Sequence, residues 1–291
     1  MKKLSILLIV LFSSLSSMSA QHKFGIRAGL NYSKFSGELE TNEAYDFNTG
    51  FHFGFNYTYQ LNTTIGFRTE LLYTQRGSKQ SIQDDAIYNV IRAIDGTTLV
   101  EIGNVDYNIG LSLSYFSIPF TVQVKVANKF EIFGGASIDL LFAPTGGGTT
   151  VFQSRDRPDQ IRYTLRHDHN YRTDLARGIA DFTQNEVSSQ ILNGNTTNIN
   201  TVLGAYYYYT ADELEAQGKR FRFFDTNLIL GFNYFINSGF FLGLRAEYGL
   251  FDLTNNQIDP SLREINADGS FIFREDKDNS RSLSLSFGFR F

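Results

Sequence analysis

His167 and His169, flanking Asp168, are the residues whose types and spacing come nearest to chemistry. On extended backbone, side chains two apart share a face, so two imidazoles at this spacing could ligate a divalent metal. No third ligand can be named, and a solvated loop is the expectation. Asp276, Asp278 and Asn279 have calcium-loop composition without the twelve-residue pattern, and read as a turn. No serine, histidine and acid arrangement stands out, and there is no phosphate-cradling Gly loop and no paired-carboxylate signature. Cysteine is absent, which removes disulfides, Cys-ligated zinc, thiol catalysis and a lipid-anchored N-terminal Cys together. No metal, cofactor or catalytic residue is expected.

A second group of residues is more informative because its spacing recurs. Arg68 and Glu70 stand two apart, and Arg245 and Glu247 repeat the pair. Arg27, Lys125, Glu131, Asp139, Asp225 and Arg290 occupy equivalent polar positions in other alternating segments, and the signs of the whole set balance. Charges gathered on an inner face are expensive unless paired. The expectation is a salt-bridged interior; a proton or ion path through it has no specific support.

The segments that must position these charges alternate with period two, which sets one face against an apolar phase and the other against a polar one. They are His22 to about Phe35, Gly50 to Leu61, Thr64 to Arg76, about Tyr107 to Val126, Phe130 to Phe142, about Arg222 to Tyr234, Phe240 to Leu253, and the final RSLSLSFGFRF. In the second, Phe51, Phe53, Phe55, Tyr57, Tyr59 and Leu61 make one face nearly all aromatic. Connections alternate between short ones, at Asn62 and Thr63, Ala127 to Lys129 and Ile236 to Gly239, and long ones at Ser36 to Asn48, Ser78 to about Asp106, Ala143 to about Phe221, and Thr254 to Asn279. An even number of antiparallel strands with short turns at one rim and long loops at the other is the arrangement of an outer-membrane barrel. The expected fold is therefore all-β: an eight-stranded antiparallel up-and-down transmembrane β-barrel with long extracellular loops. A soluble sandwich or lipocalin-like barrel would have to pack all of these Phe- and Tyr-rich faces into one narrow core.

Residues 1–20 have the parts of a secretory signal: Lys2 and Lys3, an apolar run from Leu4 to Phe12, and a Ser-rich stretch ending at Ala20. Export, cleavage near Ala20 and outer-membrane localisation are expected, with residues 21–291 as the barrel domain. Net charge is −4, and a basic nucleic-acid surface is excluded. Pro119 cannot donate to a ladder and is expected to mark a bulge. The 143–221 stretch is too long for a simple connector and is expected to be partly structured. Two capping boxes support this, Thr183 with Glu186 and Thr210 with Glu213. The run Tyr206 to Tyr209 is read either as a stacking surface for a sugar or partner, or as the upper end of the sixth strand.

Glu70-Leu71-Leu72-Tyr73-Thr74-Gln75-Arg76-Gly77, Tyr115-Phe116-Ser117-Ile118-Pro119-Phe120, Gly25 and Gly29 in the first strand, and the final strand with its terminal Phe together resemble the PorT-like outer-membrane β-barrel proteins common in Bacteroidetes. The resemblance implies an eight-stranded outer-membrane barrel, and for one member a link to type IX secretion; it carries no catalytic residues. Phe287, Phe289 and Phe291 also resemble the signal by which the outer-membrane assembly machinery recognises its substrates. The functional expectation is a non-enzymatic barrel in outer-membrane lipid with a filled lumen and loops that bind a partner or ligand. The alternatives are a secretion-system component and a lipid-modifying enzyme similar to the outer-membrane lipid A palmitoyltransferase. The latter needs a hydrocarbon pocket in the lumen, whereas the inward positions are polar apart from Leu72, Phe133, Phe223, Ile229 and Phe241.

Overall fold

The computed structural model describes residues 21–37, 39, 42–94, 98–176, 187–192, 194–258, 262–266, 271–273, 275 and 277–291. The leader expected over residues 1–20, the capping box at Thr183 and Glu186, and Asp276 lie outside them.

Among the described residues the strands are β1 (His22–Ser36), β2 (Glu43–Gln60), β3 (Ile65–Arg92), β4 (Thr98–Ala127), β5 (Phe130–Ser154), β6 (Arg162–Asn170), β7 (Val187–Leu192), β8 (Asn195–Asn200), β9 (Val202–Leu203), β10 (Phe224–Phe235), β11 (Phe240–Gly249), β12 (Leu262–Ile265), β13 (Phe271–Phe273) and β14 (Asn279–Arg290); a helix, α1 (Ala211–Gln217), precedes β10. β1 to β5 pair in sequence, β5 pairs with β10, β10 with β11, β11 with β14, and β14 returns to β1. Every pairing is antiparallel, so the sheet closes as an eight-stranded up-and-down barrel without an edge. The closing seam sets Ile26 against Phe289 and Tyr32 against Leu283.

The outer surface carries the apolar half of each alternation. Leu30, Phe55, Leu230 and Phe287 are each more than 60% exposed. A continuous exposed belt of this kind is far larger than the apolar patches a water-soluble monomer tolerates, and it matches hydrocarbon. The short turns at one rim are built on asparagine. Asn62 Oδ1 accepts from the amides of Thr64 and Ile65, both at 2.8 Å, and Asn237 Oδ1 accepts from those of Gly239 and Phe240 at 2.9 and 2.8 Å. These side chains supply the turn's acceptor locally, which is why so few residues suffice.

In the segment expected to be a loop from Ser78 to Asp106, residues 78–92 and 98–106 are instead strand. β3 and β4 stay paired from Ile65↔Val124 through Lys79↔Gly110 to Arg92↔Thr98. Residues 143–154 likewise continue β5, paired with β4 as far as Gly103↔Ser154. The reason is an exchange of polarity along each strand. On β4, Phe116, Ile118, Phe120, Val122 and Val124 point outward over polar inward neighbours such as Ser117, Thr121 and Gln123; above them Tyr115, Leu113, Leu111 and Ile109 point inward and are buried. The backbone never breaks, but the outer solvent changes from hydrocarbon to water, and the apolar residues move to the other face. Irregularities sit at the same level, between Phe47 and His52 in β2 and around Phe142 in β5. Bulges there let strands turn without ending.

Pro119 marks no bulge. It stays in register against Ser137 of β5, while the ladder to β3 lapses for the two residues facing Glu70 and Leu71. In an antiparallel ladder one residue's amide and carbonyl face the same neighbour, so a proline costs bonds on one side only.

Above the barrel, β6 pairs with β5 and, in parallel, with β9, while β7 and β8 form a hairpin. Two apolar cores fill this unit. The lower one gathers Phe35, Tyr45, Leu111, Tyr115, Tyr171, Tyr206 and Phe221, and the upper one Val105, Phe152, Ile161, Tyr163, Leu165 and Leu203.

Candidate functional site

Period-two parity carries Arg27, Arg68, Glu70, Glu131, Asp139, Asp225, Arg245 and Arg290 to the inward face, where all are buried; Glu247 is half-buried. The closing register then decides which meet. Glu70 receives Arg27 at 2.9 Å and also pairs with Arg245; Arg245 reaches Glu247 at 3.2 Å. Glu131 receives Arg68 at 2.9 Å and Arg290 at 3.1 Å, nearer the short-turn rim. Lys125 is half-buried on the same face but joins no ion pair among the described residues.

Sequence reasoning missed the hub. Arg76, fully inside the wall of β3, reaches Asp139 at 2.7 Å, Glu247 at 3.4 Å and Asp225 at 3.7 Å. Counting on by twos from Arg68 and Glu70 arrives at Arg76, so the signal was present. Five arginines and five carboxylates therefore meet through contacts within 4.0 Å.

Of the inward apolar residues read from sequence, these arginines explain Phe133 and Phe241, and Tyr115 and Phe235 join them. Guanidinium carbons lie over rings in the pairs Arg68 and Phe241 at 5.8 Å, Arg76 and Tyr115 at 4.6 Å, Arg245 and Phe133 at 5.7 Å, and Arg290 and Phe235 at 4.2 Å. A ring face gives a cation a partner where water is scarce. Gly231 and Gly288 make room, since a Cβ at Gly231 would lie 2.5 Å from the Phe133 ring and one at Gly288 would collide with that of Phe241. Phe223, read from sequence as inward, is instead 63% exposed, because β10 begins after it.

His167 and His169 lie on the buried face of β6, not in a solvated loop. Thr150 Oγ1 meets His167 Nε2 at 2.8 Å, His167 Nδ1 meets His169 Nε2 at 3.2 Å, and His169 Nδ1 meets the Tyr171 hydroxyl at 2.8 Å. Arg220 Nη1 donates to that hydroxyl at 3.0 Å. A single donor direction along the row, from Tyr171 to Thr150 or the reverse, satisfies it with both imidazoles neutral. Burial holds His167 down to about 4; burial, helped by His167 and Arg220, holds His169 well below the usual imidazole value. Among the described residues no group of three or more His, Cys, Asp or Glu could hold a metal.

Tyr206 to Tyr209 form a turn, neither a strand end nor an open stacking surface: Tyr206 is buried and donates to the Tyr171 carbonyl at 2.7 Å, and Tyr207 joins the upper core. The capping box at Thr210 and Glu213 is present at the start of α1. Asp278 is buried, bonded to Thr254 Oγ1 at 3.1 Å and facing the Tyr45 hydroxyl at 3.3 Å.

Among solved structures the chain is similar to Ail, the attachment invasion locus protein of Yersinia pestis, at 10% identity over 93% of this chain and 99% of that one, with a TM-score of 0.35. It is similar also to Neisserial surface protein A at 11% identity, over 92% of this chain and 95% of that one, with a TM-score of 0.35. A third is OprG from Pseudomonas aeruginosa, at 12% identity over 92% and 95%, with a TM-score of 0.32. No curated protein matches the chain in sequence. The model of one family, described as "Outer membrane protein beta-barrel domain", matches residues 16–255, most of the chain. The chain belongs to this family of outer-membrane β-barrel proteins, and its place is the outer membrane.

Proposed function

We propose that this outer-membrane protein is a non-enzymatic, PorT-like barrel with a closed lumen, and that the unit above the membrane binds a partner, either another envelope protein or an extracellular ligand. The observation that carries the reading is the stacking of two layers across the bore: the ion-paired network around Arg76, and directly above it the apolar core that contains Tyr115. A bore packed this way favours neither diffusion nor a hydrocarbon pocket for lipid chemistry. Polar strand surface and a local core raised above the membrane favour recognition. The Glu70 to Gly77 and Tyr115 to Phe120 motifs support the PorT-like assignment.

Three measurements test this. In planar bilayers the purified full-length chain is expected to give no discrete conductance steps, and steady large steps would count against a closed lumen. Co-purification from outer membranes in mild detergent is expected to retain a stable partner; a set of type IX components would specify the secretion-system version, and a solitary barrel would sink the partner reading. Acyl transfer to lipid A by the pure protein would overturn the non-enzymatic assignment.

A further inference from the structure

Lys34 of β1 and Arg281 of β14 are direct cross-strand partners, and both face outward. The pair below them on the same face, Tyr32 and Leu283, belongs to the exposed apolar belt. These two cations therefore stand side by side at the upper edge of the hydrocarbon layer. Like charges directly opposite each other are destabilising. The five lumen arginines all meet carboxylates, yet among the described residues Lys34 and Arg281 form no ion pair. Aromatic rings hold them at the boundary: the Lys34 ammonium is 5.2 Å from the centre of Phe47, and the Arg281 guanidinium 5.4 Å from that of Tyr248.

A groove of about 420 Å³ opens on the wall over β10, β11 and β14, lined by Arg281 and by Phe47, the ring against Lys34. Its floor is Ala246, paired with Leu230 on one side and Leu283 on the other. Neighbouring outward positions on that strand carry Leu244 and Tyr248, so the alanine leaves a gap in the belt. Arg281 and Tyr248 stand at the head of the groove and Leu228, Leu230 and Leu283 line its sides.

We propose that Lys34 and Arg281 form a binding site for the phosphate headgroup of an acylated lipid in the outer leaflet, with one acyl chain lying in the groove over Ala246. An arginine fork and an adjacent ammonium suit a phosphate, whose charge relieves their mutual repulsion. The length of wall below suits a chain, and its position at the hydrocarbon edge is where headgroup and chain meet. The site is on the barrel wall and is independent of any partner of the unit above.

Native mass spectrometry of the detergent-solubilised full-length protein tests the proposal, with bis-phosphorylated lipid A and its dephosphorylated counterpart as probes. Wild type is expected to retain the phosphorylated lipid at least about tenfold better, as charge-assisted contacts of this kind warrant. Lys34→Ser with Arg281→Ser should abolish that preference, and Ala246→Leu should weaken both lipids. Lys34→Arg, which keeps the charge, should retain the preference and serves as the control if the double variant folds poorly, as read by heat-modifiable gel migration. Equal retention of the two lipids by wild type, an unchanged preference in a folded double variant, or displacement of the lipid by millimolar inorganic phosphate alone would overturn it.

Discussion

The Arg76 guanidinium lies 4.6 Å from the centre of the Tyr115 ring, and this contact joins the polar interior of the membrane barrel to the apolar interior of the unit above it. Below the contact Arg76 balances Asp139, Asp225 and Glu247; above it the same wall buries hydrocarbon.

Replacing Arg76 with Met should therefore be among the most damaging single changes in the chain. It leaves three carboxylates without their shared cation, and removal of one buried partner costs on the order of 3–5 kcal/mol. Equilibrium urea unfolding in lipid vesicles should show that loss. Adding Asp139→Asn should recover part of it, and a double variant no more stable than Arg76→Met would tell against the pairing.

The polarity exchange predicts opposite outcomes for one substitution at two heights. Phe120→Arg puts a cation on the lipid face within the belt, where it costs about 2–4 kcal/mol. Thr149→Arg puts it on the exposed outer face of β5 above the exchange, opposite Arg166 but in water, where the effect should stay within about 1 kcal/mol. Equal losses at the two sites, measured by the same unfolding assay, would place the membrane boundary elsewhere.

The buried histidines predict an acid-sensitive upper unit. Both are neutral in the fold, with values below the roughly 6.5 of an unfolded chain, so between these limits the unfolded state binds more protons. Stability of this unit should be level above about pH 6.5 and fall as pH drops towards 4, by on the order of 3 kcal/mol for His167 alone. Amide exchange in β6 should accelerate, beyond the intrinsic pH effect, at pH 4.5 relative to pH 7 while β14 is unchanged. His167→Gln should flatten the response, and a profile unaltered by that change would rule the histidine out.

Thr210 caps a helix that buries none of its residues. Thr210→Ala should cost about 1 kcal/mol, and only locally. Limited proteolysis within residues 211–217 should speed up severalfold with the barrel's unfolding midpoint unmoved. A shifted midpoint would mean that the helix supports the wall.

Phe291 is half-exposed at the end of the closing strand, with its amide and carbonyl bonded to Phe24 at 2.9 and 3.2 Å. Phe291→Ser keeps that backbone pairing. In vitro refolding should be nearly normal, whereas the yield of protein in the outer membrane of cells should drop severalfold. Parallel losses in both assays would assign the residue to stability and not to assembly.

The barrel was legible because each wall residue obeys one simple rule: parity decides its solvent. That rule places Arg27 and Glu70 on the inner face and Phe287 with lipid from sequence alone; which charges meet is left to the register. The rise of β3, β4 and β5 above the membrane was not legible as strand, because the rule inverts there. Ile109, Leu111, Leu113 and Tyr115 sit at odd positions and Phe116 to Val124 at even ones, a shift of phase that reads as noise until the outer medium is known to change. Arg76 was overlooked for the same reason, lying just below that shift. His167 and His169 looked solvated because their flanks, Arg166 and Asp168, face outward; the burying partners, Tyr107 on β4 and Tyr171 after β6, come from register and tertiary packing.

The uninterrupted run of β3 and β4 across the membrane surface has a mechanical meaning. From Tyr115 to Thr98 the strand climbs on the order of 50 Å along its own axis without a loop to act as a hinge. The upper surface is thus held at a fixed height and orientation by the same hydrogen-bonded ladder that anchors it. A partner of the kind proposed would meet a rigid mast, and any pull it exerted would pass straight down the ladder into the wall.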